Sequence, residues 1–329
     1  MKKIAVLIIL LLISFLYLNY LLSSTGKVDQ VVNFTVESGQ SLNSVSTDLR
    51  DNQLIRSELV FKLYAKLIGK QSKVLAGSYE FNREMDASEI LNILTTISSD
   101  RELTITIIEG WRAKEIANYL DEKGIVSEVD FLQEIETSKW KNDYDFLTNV
   151  SAKTVEGFLF PDTYRIFADA TASDIVKKML DTFDSKLTSQ MRGDITSSGK
   201  NIFDVVILAS IIEREVPNND DKKIIADIFF KRIQAGIALQ SDATVNYVTG
   251  QGRAQPTYKD LEVDSPYNTY KYRGLTPGPI SNPGISSIEA VIYPTSNPYY
   301  YFLTTLDDGT VIYGRTYEEH LNNKARYLD

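Results

Sequence analysis

The sequence predicts an α+β protein with a single N-terminal transmembrane helix, a small α+β domain and a larger α+β domain that carries the chemistry. Three observations predict it. Residues 4–22 are an almost unbroken apolar run of membrane length. Short alternating, strand-like segments stand among segments of helical apolar spacing on both sides of residue 101. A stretch rich in Gly, Pro, Asn and Tyr, from Gln240 to Pro298, is too long for a passive connection, and loops of that kind usually carry function.

From the start of the chain, Ile4 to Leu22 is interrupted only by Ser14, Asn19 and the tyrosines near its far end. Lys2 and Lys3 precede it, so the positive-inside tendency leaves residues 1–3 in the cytoplasm and everything after Leu22 outside. Tyr17 and Tyr20 suit the outer interface. The run is longer than the roughly 7 to 15 apolar residues of a signal peptide, and no small-x-small site follows, so an uncleaved anchor is expected. Lipidation through cysteine is excluded because the chain has none.

Residues 23–32 read as a polar tether to a domain over 33–100. In that domain Asn33 to Val36 is a strand and Glu37 to Gln40 a turn. Ser41 caps a helix with Leu42, Val45 and Leu49 on one stripe, and Ser57 to Ile68 is helical with Leu59, Leu63 and Leu67 spaced by fours. Gly77 to Phe81 is a returning strand, and Asp86 with Glu89 forms a capping box for a helix through Leu94. The larger domain, 101–329, opens with the alternating strand Leu103 to Ile108 and a helix bearing Ile116, Ala117 and Leu120, stopped by Gly124. Further helices are expected at 128–136, 172–187, 202–215 and 221–234, and a hairpin from Tyr299 to Leu303 and Thr310 to Tyr313.

Composition narrows the function. Hydrophobic content of 43% against 24% charged residues describes a globular body, which excludes wholesale disorder. A net charge of -9, spread along the chain, argues against nucleic acid as a partner, because that would need a basic face. With no cysteine and a single histidine, His320, neither a metal site nor a cofactor is expected. No Gly-x-Ser-x-Gly elbow accompanies His320, so a Ser-His-Asp triad is not indicated, and Gly250-Gln-Gly252 lacks the context of a dinucleotide fingerprint.

The chemistry-bearing segment is Asp204 to Val216, a helix closed by Pro217. Ile212, Ile211 and Leu208 stand three, four and seven residues before Glu215, so its carboxyl continues an apolar stripe. Desolvation and the negative end of the helix dipole both favour a protonated carboxyl there, as a general acid requires. The same position also suits a rim residue paired with Arg214 or Lys222. Glu213 ranks second, because its stripe neighbours are Ser210 and Ala209. Glu156 opens a turn, through Tyr164, in which aromatic rings flank acids; they serve either sugar stacking or a turn with buried Phe158 and Phe160. The loops at 265–270 and 274–280 offer amides and hydroxyls suited to sugar hydroxyls and N-acetyl groups.

The segment Phe34 to Leu42 resembles the opening of LysM carbohydrate-binding modules, although a strand-turn-helix of any small α+β domain reads the same way. A longer series resembles the endolytic murein transglycosylases, the YceG-like family. It runs Ile108-Glu-Gly-Trp111, Glu156-Gly-Phe-Leu-Phe-Pro-Asp-Thr-Tyr164, Ala209-Ser-Ile-Ile-Glu-Arg-Glu215, Leu239-Gln-Ser-Asp-Ala-Thr-Val245, Ser265-Pro-Tyr-Asn-Thr-Tyr270 and Gly274 to Gly284. The resemblance is strongest over residues 104–329. It implies a single-pass cell-membrane protein whose extracytoplasmic domain cleaves nascent glycan strands between N-acetylmuramic acid and N-acetylglucosamine, with peptidoglycan synthases, the penicillin-binding proteins, as partners. The family's catalytic glutamate matches Glu215, the residue the apolar stripe also selects. Many relatives carry Thr where this chain has Val216.

In the implied reaction Glu215 protonates the glycosidic oxygen and then accepts the proton of the sugar's own C6 hydroxyl, leaving a 1,6-anhydro end. Gln240, Tyr267 and Asn268 are expected to position substrate, with Glu156 and Glu213 also binding it. Two other readings stay open. One is a hydrolytic muramidase using a second carboxylate from Asp242, Glu213 or Glu156; the other is a non-catalytic cell-wall-binding scaffold.

Overall fold

The computed structural model describes residues 2–26, 31–37, 39–96, 102–252, 256–305, 307 and 309–328, without the side chains of 2–9 and 11. They form two compact units, Met1–Leu103 with Phe167–Asp169, and Thr104–Ile166 with Ala170–Asp329. Mixed helices and short two-stranded sheets make each an α+β body.

The smaller unit begins with helix α1 (Lys2–Leu22), whose described side chains from Leu12 to Leu18 are exposed where they are large and apolar. Among the described residues no single helix is long and apolar enough to cross a membrane, and the apolar stretch there is Leu12–Leu22. The expected span of 4–22 thus rests partly on side chains outside the described set. Strand β1 (Val31–Val36) pairs antiparallel with β2 (Gly77–Asn82), placing Phe34 opposite Tyr79. The period of two sends Phe34, Val36, Tyr79 and Phe81 to one buried face. Helices α2 (Leu42–Asp51), α3 (Glu58–Leu67) and α4 (Ala87–Thr95) start at Ser41, Ser57 and Asp86, whose side chains accept backbone N–H bonds as their residue types foretell. The Asp86/Glu89 capping box forms.

Helix α3 forms where expected, but the leucines whose spacing marks it are not its buried face. Leu59, Leu63 and Leu67 are 65%, 50% and 84% exposed, while Val60, Phe61 and Ala65 face the core. The helix carries two apolar stripes, and it turns inward the one whose Phe61 removes most apolar area from water.

Strands β3 (Glu102–Thr106) and β4 (Thr163–Phe167), which belong to the larger unit from Thr104 on and up to Ile166, form a two-stranded sheet, with α5 (Ala113–Glu122), α6 (Glu128–Glu134) and the single turn α7 (Thr137–Trp140) between them in sequence. Helices α8 (Ala172–Lys186), α9 (Ser189–Ser197), α10 (Ile202–Ile212) and α11 (Asn219–Gln234) follow. Among the described residues, the irregular stretch after Gln240 contains three helices that its composition conceals: α12 (Asp242–Thr249), α13 (Tyr258–Leu261) and α14 (Ile285–Ile292). They span only 8, 4 and 8 residues, too short for a legible period against flanking Gly250, Pro256 and Gly284. The chain closes with the antiparallel hairpin β5 (Tyr301–Thr304) and β6 (Val311–Gly314), then α15 (Tyr317–Tyr327).

Helix α10 is the axis of this unit. Every residue from Val205 to Ile212 is buried, which is why its sequence is apolar all round, and it packs on α11 and α14. Asn282 holds three loops around it: its Oδ1 accepts from the N–H groups of Gly157 (2.7 Å) and Leu159 (3.1 Å), and its Nδ2 donates to the Trp111 carbonyl at 3.0 Å.

Candidate active site

Pro217 sets the position of Glu215. Because the residue before a proline avoids the helical region, α10 stops at Ile212, three residues short of the end expected from sequence, and Glu215 sits in a tightened turn whose N–H bonds to the Ile212 carbonyl at 3.0 Å. That turn delivers the carboxyl into a groove of about 1100 Å³ walled by α11, the 239–246 segment, β5 and α15.

The groove treats this carboxyl differently from a surface acid. Burial pushes the Glu215 pKa up to about 7, the neighbouring negative charge of Asp242 adds to the rise, and the Ser241 hydroxyl, which donates to Oε1, opposes it. The group can therefore hold or release a proton near neutrality. Asp242 is itself raised above the usual carboxylate range by burial, against a bond from the Tyr270 hydroxyl at 2.6 Å.

Ser241 is aimed by its surroundings. Gln240 takes a left-handed φ of 53°, uncommon outside glycine, and this bends the chain just before Ser241. Thr269 braces the bend: its carbonyl accepts from the Gln240 N–H at 3.2 Å and its hydroxyl from the Ser241 N–H at 3.0 Å. The Gln240 Oε1 accepts from Arg232 Nη2 at 2.6 Å, so the side chain that enters the groove is already anchored.

Of the residues singled out in the sequence for the site, Glu215, Gln240 and Asp242 line this groove, and Tyr267, Asn268, Glu156 and Glu213 do not. Asn268 is fully buried, donating to the carbonyls of Leu261 (2.8 Å) and Val263 (2.9 Å) while its Oδ1 accepts from the Tyr270 N–H (3.0 Å). It shapes the loop that presents Tyr270. The Tyr267 ring packs 5.0 Å from that of Tyr247, and its hydroxyl lies against Gly278, where a Cβ would stand 2.9 Å away. Glu156 accepts from the Ala113 N–H at 2.7 Å and the Tyr247 hydroxyl at 2.9 Å; burial raises its pKa, against those bonds. Glu213 pairs with Lys222 at 3.1 Å and accepts from the Gly284 N–H (3.0 Å) and the Ser287 hydroxyl (2.7 Å). Lys222 thus serves Glu213, and Arg214 donates to the Gly110 carbonyl at 3.1 Å, so neither pairs with Glu215. Phe158 and Phe160 are buried in the larger core, the turn reading of that motif.

Sequence reasoning passed over Ser241, Tyr270 and Arg232. Ser241 and Tyr270 lie inside quoted motifs, but a hydroxyl residue in a loop carries no signal of its own. Arg232 resembles an ordinary basic residue in the last turn of a helix. Among the described residues no group of three or more His, Cys, Asp or Glu is placed to hold a metal ion.

The chain is similar to known proteins over most of its length. An endolytic murein transglycosylase of Bacillus subtilis is 34% identical over 327 residues, covering 96% of this chain and 90% of that protein. A protein of the same name from Streptococcus pneumoniae D39 is 28% identical over 94% of this chain, which spans 61% of its length. The crystal structure of a YceG-like protein from Listeria monocytogenes superposes with a TM-score of 0.62 at 32% identity, covering 90% of this chain and 99% of that one. The model of the YceG-like family matches residues 34–326, and with these relatives it establishes that the chain belongs to that family.

Proposed function

We propose that this chain is an endolytic lytic transglycosylase that cleaves the bond between N-acetylmuramic acid and N-acetylglucosamine in nascent peptidoglycan, with Glu215 as its single acid/base. The names of its relatives support the substrate. The observation that carries the chemistry is the Glu215 carboxyl, held in a groove with its pKa pushed up to about 7. Protonated Glu215 donates to the glycosidic oxygen as the bond to the anomeric carbon breaks. The resulting carboxylate, stabilised by the Ser241 hydroxyl, then accepts the C6 hydroxyl proton while that oxygen closes on the anomeric carbon. No water is consumed, and the proton borrowed in the first half returns in the second.

Residues 4–22 serve as a single-pass anchor with the N-terminus cytoplasmic, and the unit after it works outside the membrane beside peptidoglycan synthases. The strand-turn-helix of β1 and α2 acts as a LysM-like glycan-binding element. A hydrolytic reading survives through Asp242, the one other carboxyl of the groove among the described residues. Product analysis decides between them, because anhydro and reducing ends differ by one water. Glu215→Gln should abolish cleavage of purified glycan, and the wild type should yield 1,6-anhydro ends by mass spectrometry; unchanged cleavage by the variant, or reducing ends from the wild type, overturns the assignment.

A further inference from the structure

The acid chemistry leaves Arg232 unexplained. The last turns of α11 place it in the groove with only 5% of its surface exposed. Its Nη2 is used by Gln240, its Nε is buried without a partner, and its Nη1 makes no hydrogen bond to the described residues. No carboxylate among those residues pairs with it, unlike Lys222, which is as deeply buried and has Glu213. A buried cation without a counter-charge is costly, so its retention on a groove wall calls for an anion from outside the chain.

Aromatic and basic side chains surround it. The guanidinium lies 5.3 Å from the centre of the Tyr301 ring, and His320 stacks 5.4 Å from Tyr301. Lys324, one turn along α15, lines the same wall. Burial, then the charges of Lys324 and Arg232, holds the His320 imidazole below its usual pKa. The groove therefore holds the carboxyls of Glu215 and Asp242 together with the cations Arg232 and Lys324, which disfavour a charge on His320, and Lys324 also acts on Asp242 as an opposite charge.

We propose that the Arg232, His320 and Lys324 wall is a subsite for a carboxylate borne by the substrate strand. This rests on the glycan-cleaving assignment above. The amino-sugar backbone is neutral, and carboxylates enter such a strand only through the lactyl ether of its muramic acid units and the peptides attached there. A planar guanidinium with donors left open matches a carboxylate better than it matches sugar hydroxyls. The subsite would fix which muramic acid unit lies across Glu215, so cleavage would follow the spacing of the carboxylates.

Binding to the full-length Glu215→Gln chain tests this, followed on the ring resonances of His320, the one histidine of the sequence. Three probes are used: soluble peptide-bearing glycan fragments, the same fragments with carboxyls converted to methylamides, and fragments stripped of peptide so that only lactyl carboxylates remain. The native fragments should bind about tenfold more tightly than the blocked ones, the scale of one charge-assisted hydrogen bond. Arg232→Gln should erase that preference, and Arg232→Lys should restore part of it. Stripped fragments that bind like native ones assign the lactyl carboxylate, and stripped fragments that bind like blocked ones assign the peptide. Equal binding of native and blocked fragments overturns the proposal. So does equal weakening of both by Arg232→Gln, which would make Arg232 a support for Gln240 alone. Residual cleavage by the Glu215→Gln chain would instead overturn the acid assignment, without touching the carboxylate preference.

Discussion

Glu215 sits between two neighbours that act on its proton in opposite directions, and this makes its titration adjustable by single substitutions. The donating form is the protonated one, so cleavage should fall as pH rises through about 7. Asp242→Asn removes a negative neighbour and should move that alkaline limb downward, whereas Ser241→Ala removes a donor to the carboxylate and should move it upward. Rate profiles of the variants check both signs, and limbs moving together would refute the coupling. The same pKa has a cost in stability. The folded state binds its proton more tightly than the unfolded chain, whose carboxyl has the ordinary value of 4.5, so the contribution is complete below 4.5 and is lost as pH rises to about 7. Glu215→Gln should therefore raise thermal stability at pH 8 relative to the wild type and do little at pH 4. The ceiling is about 3 kcal/mol, lowered by whatever solvent reaches the carboxyl through the groove. A melting temperature unchanged by the substitution at pH 8 would show that the carboxyl ionises without penalty.

At the level of elements, the loops around α10 are held by few contacts of high value. Replacing Asn282 by Ala leaves the Gly157 and Leu159 N–H groups and one bond of the Trp111 carbonyl unmet in a buried site. At about 1 to 3 kcal/mol for each orphaned group, the variant should lose roughly 3 to 5 kcal/mol in denaturant unfolding. Gly157→Ala should be comparably severe: φ is +91° there, and a Cβ would stand 2.4 Å from Pro279. Local signals in the sequence foretold much of this frame. Caps at Ser41, Ser57 and Asp86, the alternation of β1 and β2, and the apolar length of α10 are each written within a few neighbouring residues. What stayed hidden depends on distant partners. Nothing near Asn268 reveals that it spends its amide on Leu261 and Val263, and nothing near Glu213 reveals Lys222 or Gly284. The leucine spacing of α3 marks a helix but not its inner face, which is the one whose Phe61 joins the core of the small unit. Glu215 was legible because its cause, an apolar helix stopped by a proline, is local.

On the scale of the whole chain, two hydrophobic cores share no residue. One gathers Phe34, Leu49, Phe61 and Phe81, the other Phe131, Phe158, Phe183 and Phe229. The groove draws its walls from the larger unit alone, from Arg214 to Leu328. A cavity in the small core should therefore lower the stability of that unit and leave the site's chemistry intact. Phe61→Ala removes a fully buried ring, a change that costs about 3 to 5 kcal/mol. In a unit of about a hundred residues each kilocalorie moves the midpoint by roughly 4 to 8 °C, so the shift should exceed about 10 °C. Leu63→Ala on the same helix, at a side chain 50% exposed, should cost no more than about 0.5 kcal/mol of stability. Scanning calorimetry should resolve two transitions, of which Phe61→Ala lowers one and Phe158→Ala the other, while kcat on soluble glycan below both midpoints follows only the second unit. A single transition lowered by either substitution would mean that the two cores unfold as one.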